Sequence, residues 1–202
     1  MTGSAPLDWS VAARALPGED TSGDCAVVAV ASERALAAAI DGLGHGAKAA
    51  LAAETARAVV EGSAEQDVVS IVERCHAALR ETRGAAMSVA SFDCTSDVMT
   101  WTGIGNVEGR LLRGSESGRR AESLLLRSGV AGHELPPLSA STVDLRRGDV
   151  LIFATDGIRR DFADYLTTSG STRGIAEQLL ERHATATDDA LVLVARYMGT
   201  KS

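Results

Sequence analysis

Four acidic positions in this 202-residue chain share one setting. Asp24 closes Ser22-Gly23-Asp24 just before an apolar run, and Asp41 opens Asp41-Gly42-Leu43-Gly44-His45-Gly46. Asp156 lies in Thr155-Asp156-Gly157, and Asp188-Asp189 immediately precede the apolar run from Ala190. Each stands at the edge of a predicted strand beside a glycine or a second acid. Carboxylates that converge on one rim repel one another unless a cation neutralises them. A donor set of oxygens alone favours a hard ion, Mg²⁺ or Mn²⁺, over zinc. Two such ions about 3.5–4 Å apart can share a bridging hydroxide and stabilise an in-line displacement at phosphorus. Taken singly, each Asp-Gly reads as an ordinary turn. The repetition at matching strand ends is what points to a metal centre.

His45 is the histidine inside a motif, and two roles fit it. It could protonate a leaving oxygen, or it could pack against the glycine turn and support a ligand from outside. His76, His133 and His183 read as surface or loop residues, without metal-site spacing. Glu19 and Asp20 read as turn residues ahead of Asp24.

The elements that must position these groups run strands, then helices, then strands again. Strands are predicted at Trp9–Ala15, Cys25–Ser32 and Arg34–Ile40, followed by helices at Ala47–Val60 and Gln66–Thr82. In the second helix Val68, Ile71, Val72, Cys75 and Leu79 recur at three- and four-residue spacing, the mark of a buried stripe. Strands resume at Ala86–Phe92, Val98–Ile104, Val107–Arg113, Ser123–Arg127, Thr142–Leu145 and Val150–Thr155. The polar stretch Gly114–Arg120 between two of them reads as a hairpin loop. A helix at Arg173–His183 and a strand at Ala190–Tyr197 complete the order. Short connections imply antiparallel pairing, with the grouped helices covering the outer faces. The expected class is α+β: a four-layer α/β/β/α sandwich of two mainly antiparallel sheets. We expect one domain over residues 1–202, with its core at about 9–198.

Composition narrows the function. A net charge of −7 argues against nonspecific nucleic-acid binding and against adhesion to anionic lipid. Three scattered cysteines (Cys25, Cys75, Cys94) form no CxxC and suit neither a disulfide framework nor a zinc site. Cys75 falls on the apolar helix stripe as a small buried hydrophobe. The first nine residues lack the pattern of a signal peptide, and no apolar run reaches membrane-spanning length. A cytoplasmic monomer is expected.

The four motifs, in this order, resemble the type 2C-like (PPM) metal-dependent protein phosphatases. DGxGHG at 41–46 is similar in particular to the sporulation stage II E branch. Gly18-Glu19 with Ser22-Gly23-Asp24, Ser70 to Cys75, Arg83-Gly84-Ala85 and Gly105-Asn106-Val107 look like the RsbX-type stressosome feedback phosphatases within it. The resemblance runs from about Gly18 to Tyr197. It implies two Mn²⁺ or Mg²⁺ ions per site, attack on phosphorus by metal-bound hydroxide, and no phosphoenzyme. By the same resemblance Asp41 would bridge both ions and the Gly42 carbonyl would bind one. Asp24, Asp156 and Asp188 would complete the set, with Asp189 the alternative to Asp188. The implied substrate is phosphoserine or phosphothreonine on a STAS-domain protein, either a stressosome component or an anti-anti-sigma factor. The chain departs from the pattern in lacking a clear phosphate-binding arginine upstream; Arg14 is the nearest.

Two rival classes share parts of this pattern. DGLGHG is also similar to the nucleotide lid of histidine-kinase-like ATPases, but these need an Asn-bearing helix before the glycine box, and the only Asn here is Asn106. A metal-free binding module on the same fold, working in sigma-factor partner switching, is the other. It would not need acids at all four ligand positions.

Overall fold

A computed structural model describes residues 5–31, 33–114 and 121–199. The first half places β1 (Leu7–Arg14), β2 (Asp24–Val30), β3 (Arg34–Gly42), α1 (Ala47–Glu61) and α2 (Val68–Ala78). Next come β4 (Ala85–Asp93), β5 (Val98–Ile104), β6 (Glu108–Leu112), β7 (Ala121–Ser123) and β8 (Ser141–Asp144). The chain closes with β9 (Val150–Ala154), a 3₁₀ turn (Arg160–Tyr165), α3 (Thr172–His183) and β10 (Ala190–Tyr197).

The strands form two five-stranded sheets, ordered β1-β10-β9-β6-β7 and β2-β3-β4-β5-β8. Their ladders are antiparallel. The central strands β3 and β10 read as continuous apolar runs because both of their faces are covered. The period of two sorts their side chains by layer. Ala35, Ala37 and Ala39 of β3 meet Leu191, Leu193, Ala195 and Tyr197 of β10 between the sheets. Leu36, Ala38 and Ile40 point the other way, toward Ala52 and Ala56 of α1 and Ile71, Val72 and Cys75 of α2. Val192 and Val194 turn outward onto Ile175, Ala176 and Leu179 of α3. The layers are therefore α1/α2, sheet, sheet, α3, the expected α/β/β/α sandwich.

Local differences from expectation have physical causes. β3 extends through Gly42, so Asp41 sits within the strand rather than after it. α2 starts at Val68 rather than Gln66 because Asp67 caps it, accepting from the amides of Val69 (3.1 Å) and Ser70 (2.9 Å), and it ends at Ala78 rather than Thr82. The strand expected over Ser123–Arg127 stops at Ser123. Residues 124–127 instead cross between the sheets: Leu124 N donates to Gly109 O of β6 at 2.9 Å, and Arg127 N to Gly103 O of β5 at 3.2 Å. Bare glycine permits this, since a Cβ on Gly103 would stand 2.6 Å from Leu126 Cδ2. Gly114 ends the described stretch before the expected hairpin loop, and residues 115–120 lie outside the described residues.

His183, expected at the surface, is buried under Tyr165, and its Nδ1 bonds Asp161 Oδ1 at 2.9 Å. The 3₁₀ turn that supplies both partners spans six residues, too brief for a periodic pattern to mark it. Burial pushes the Cys75 thiol up to about 12. Among the described residues no helix is long and apolar enough to cross a membrane.

Candidate active site

Asp24 and Asp41 are register partners across β2 and β3, so two carboxylates face each other at one end of the sandwich. Asp24 is buried, and Thr155 Oγ1 donates to its Oδ2 at 2.7 Å. Thr155 is itself fixed, because its hydroxyl also accepts from Leu191 N at 2.9 Å. One residue on, Asp156 is exposed and receives Asn106 Nδ2 at 2.5 Å. β9 and β5 thus deliver Asp156 and Asn106 to the rim on which Asp24 and Asp41 sit.

Asp188 and Asp189 part company. Asp189 is buried and both of its oxygens are committed: Oδ1 accepts from Leu16 N at 2.8 Å and Oδ2 from Gly23 N at 2.7 Å. It ties the β1–β2 turn to β10. Asp188 is half-buried, and one of its oxygens accepts from the Asp189 amide at 2.9 Å.

The motif glycines serve close approach. A Cβ on Gly42 would stand 2.2 Å from Ala49 O of α1, and one on Gly157 would stand 1.8 Å from Asp189 O. A Cβ on Gly23 would stand 2.7 Å from Ala49 Cβ. Gly44 (φ 83°) and Gly46 (φ 71°) take left-handed backbone and turn the chain into α1.

The electrostatics follow from this crowding. Burial, then Asp24, Asp156 and Asp188, push the Asp41 carboxyl up to about 9. Burial first, then Asp189, Asp156 and Asp188, push Asp24 up to about 7 against the lowering bond from Thr155. Asp188 is raised by its burial and by Asp156 and Asp189, and His45 opposes the rise. Among the described residues no Lys or Arg forms an ion pair with any of these five acids. Nor, among the described residues, do three acidic, imidazole or thiol side chains close into a ready-made cage. Asp24 is turned to Thr155 and Asp156 to Asn106 instead. The donors still fit a hard divalent cation in kind: they are all oxygen, they repel one another, and among the described residues no Lys or Arg is paired with them.

His45 is half-exposed, with Nδ1 2.7 Å from Glu19 Oε1. The Glu19 carboxylate also reaches the start of α1, 2.8 Å from where a Cβ on Gly46 would stand. A negative group is favoured at a helix N-terminus. Glu19 is thus a clamp on the glycine turn, which its place in a polar loop did not reveal. Asn106 was also missed as a site residue; its position directly after a strand end and glycine was the available signal. Arg14 lies near the site, but its Nη2 donates to Thr185 O at 2.7 Å. The guanidinium that borders the glycine turn belongs to Arg83, 2.8 Å from where a Cβ on Gly44 would stand.

Two antiparallel sheets between helices, with an acidic rim at one end, define a type 2C-like phosphatase domain. The chain belongs to the stage II sporulation protein E (SpoIIE) family, whose profile matches residues 31–198. It is 28% identical over 178 residues to the phosphoserine phosphatase RsbX of Bacillus subtilis (strain 168), covering 88% of this chain and 87% of that one. A crystal structure of RsbX in complex with magnesium matches with a TM-score of 0.86 and 25% identity, over 98% of both chains. A chain from work on the bacterial stressosome as a modular system adapted to control secondary messenger signaling matches with a TM-score of 0.86 and 29% identity. That match covers 94% of this chain and 99% of the other.

Proposed function

We propose that this chain hydrolyses phosphoserine or phosphothreonine on a STAS-domain protein, a stressosome component or an anti-anti-sigma factor, as a cytoplasmic monomer. The observation that carries the reading is the opposed Asp24–Asp41 pair, buried among further acids and, among the described residues, in no ion pair with Lys or Arg. Asp41, Asp24, Asp156, Asp188 and the Gly42 carbonyl would hold two Mn²⁺ or Mg²⁺ ions. Such ions supply a nucleophile at neutral pH and neutralise charge that develops on the phosphoryl oxygens. Thr155 orients Asp24, and Asn106 orients Asp156, so each carboxylate keeps one fixed oxygen and one for the metal. Asp189 has neither oxygen to give and serves as a brace.

The test is intact-mass analysis of a phosphorylated STAS-domain protein incubated with the chain. Loss of phosphate with Mn²⁺, abolished by EDTA and restored by added Mn²⁺, is the expected result. Full activity in chelator would remove the two-metal reading. Tight binding of the phosphoprotein without turnover would instead mark an inactive binding module.

A further inference from the structure

A cleft of about 320 Å³ opens beside Asp156. Ile158 and Phe162 form its apolar floor, Asn106 one wall, and Arg159 and Arg160 its rim. Its volume is at the small end for a ligand site, enough for side chains rather than a domain. The two arginines differ. Arg159 is anchored, its Nη2 donating to Arg182 O at 3.0 Å. The Arg160 side chain is 92% exposed, and Glu108 lies 3.7 Å away, at the outer limit of an ion pair. Glu108 is already held by Arg110 at 2.9 Å. An exposed pair of that length contributes almost nothing to stability, so the Arg160 guanidinium is available to a partner. In the same lining, Asn106 Oδ1 is buried with no hydrogen-bond partner among the described residues, an acceptor awaiting a donor.

We propose that this cleft is the subsite for the substrate residues flanking the phosphorylated one, and that Arg160 selects an acidic side chain there. The inference rests on the phosphatase reading above, because it takes the phosphate itself to lie at the acidic rim. A segment running past Asp156 would place a flanking side chain over Ile158 and Phe162, with the Asn106 carbonyl offered to its main chain. A carboxylate at the rim would meet a guanidinium whose one ion pair among the described residues is the long, exposed contact with Glu108. Arg and carboxylate form charge-assisted, directional hydrogen bonds, which set specificity more than overall affinity.

Two phosphoserine peptides, one with glutamates and one with lysines around the phosphoserine, test this with Mn²⁺ present. The wild-type chain should favour the glutamate peptide by about tenfold in kcat/KM, with the difference residing in KM. Arg160→Ala should abolish the preference, and Arg160→Glu should reverse it toward lysine. Turnover of p-nitrophenyl phosphate, which has no flanking residues, should stay within about twofold. Equal use of both peptides by the wild type, an equal loss on both in Arg160→Glu, or a parallel loss on p-nitrophenyl phosphate would each overturn the assignment. Absence of turnover on any ester with Mn²⁺ would sink the phosphatase reading instead. Fluorescence anisotropy of the same two labelled peptides then still decides the cleft: equal affinities refute it, and a glutamate preference lost in Arg160→Glu supports it.

Discussion

Adjacent identical residues can have opposite roles when their environments differ, and Asp188-Asp189 is such a pair. Asp189 bonds two amides from the β1–β2 turn, whereas Asp188 accepts through one oxygen, from the Asp189 amide, and is pushed up by Asp156 and Asp189. Asp189→Ala should leave both amides without their charged acceptor and lower stability by about 2–4 kcal/mol, read by denaturant unfolding in EDTA. Asp188→Ala should barely change that curve but weaken Mn²⁺ binding, read by calorimetric titration. The reverse pattern would exchange the two roles. His45 poses a similar question. Its bond to Glu19 and the position of Glu19 at the start of α1 favour support of the glycine turn over proton donation. His45→Ala should therefore slow protein phosphoserine and p-nitrophenyl phosphate alike, and Glu19→Gln should reproduce much of the effect. Proton donation to a poor leaving group would instead spare p-nitrophenyl phosphate and cost the phosphoprotein about 10²–10⁴-fold.

At the scale of elements, the site depends on how closely α1 and β10 approach the strand ends. Gly42 has no room for a methyl group, since a Cβ there would stand 2.2 Å from a helix carbonyl. Gly42→Ala should push α1 from the sheet and destabilise the fold by about 3 kcal/mol, with loss of activity even where the protein still folds. Gly62, at the end of the same helix, is the control. Its φ is −76° and its Cβ would lie 3.4 Å from the nearest atom, so Gly62→Ala should shift thermal unfolding little. Equal effects of the two changes would show that close packing of α1 is not what Gly42 secures.

At the scale of the whole molecule, the acidic rim links stability to pH and to metal. Asp24 and Asp41 titrate in the fold near about 7 and about 9, against an ordinary 3.8 for both. Between those limits the folded metal-free chain binds more protons than the unfolded chain, so its stability falls as pH rises. The contribution is fully present below about pH 4 and fully lost above about pH 9. A divalent ion takes the place of the protons. Melting temperature in EDTA should therefore drop between about pH 5.5 and about pH 8.5, and the rise on adding Mn²⁺ should be larger at the higher pH. A metal-induced rise that is the same at both pH values would mean that these carboxylates do not bear the load.

The sequence by itself determined the layers and most of the rim. Unbroken apolar runs in β2, β3 and β10 and the helical stripe of α2 are local patterns, and local patterns survive in one dimension. Asp24, Asp41-Gly42, Asp156-Gly157 and Asp188-Asp189 were legible for the same reason, since each motif is contiguous. Tertiary structure decided what depends on groups far apart in the chain. Which acid of 188 and 189 braces the fold was settled by the amides of Leu16 and Gly23, more than 160 residues away. Asn106 gained its place only when β5 and β9 brought it to Asp156, and Glu19 only when its loop reached α1. His183 is buried by a 3₁₀ turn of six residues, too short to show a period in the sequence. Hydrogen bonds and burial are made by the neighbours a side chain meets in space, and sequence patterns report those neighbours only where the chain itself supplies them.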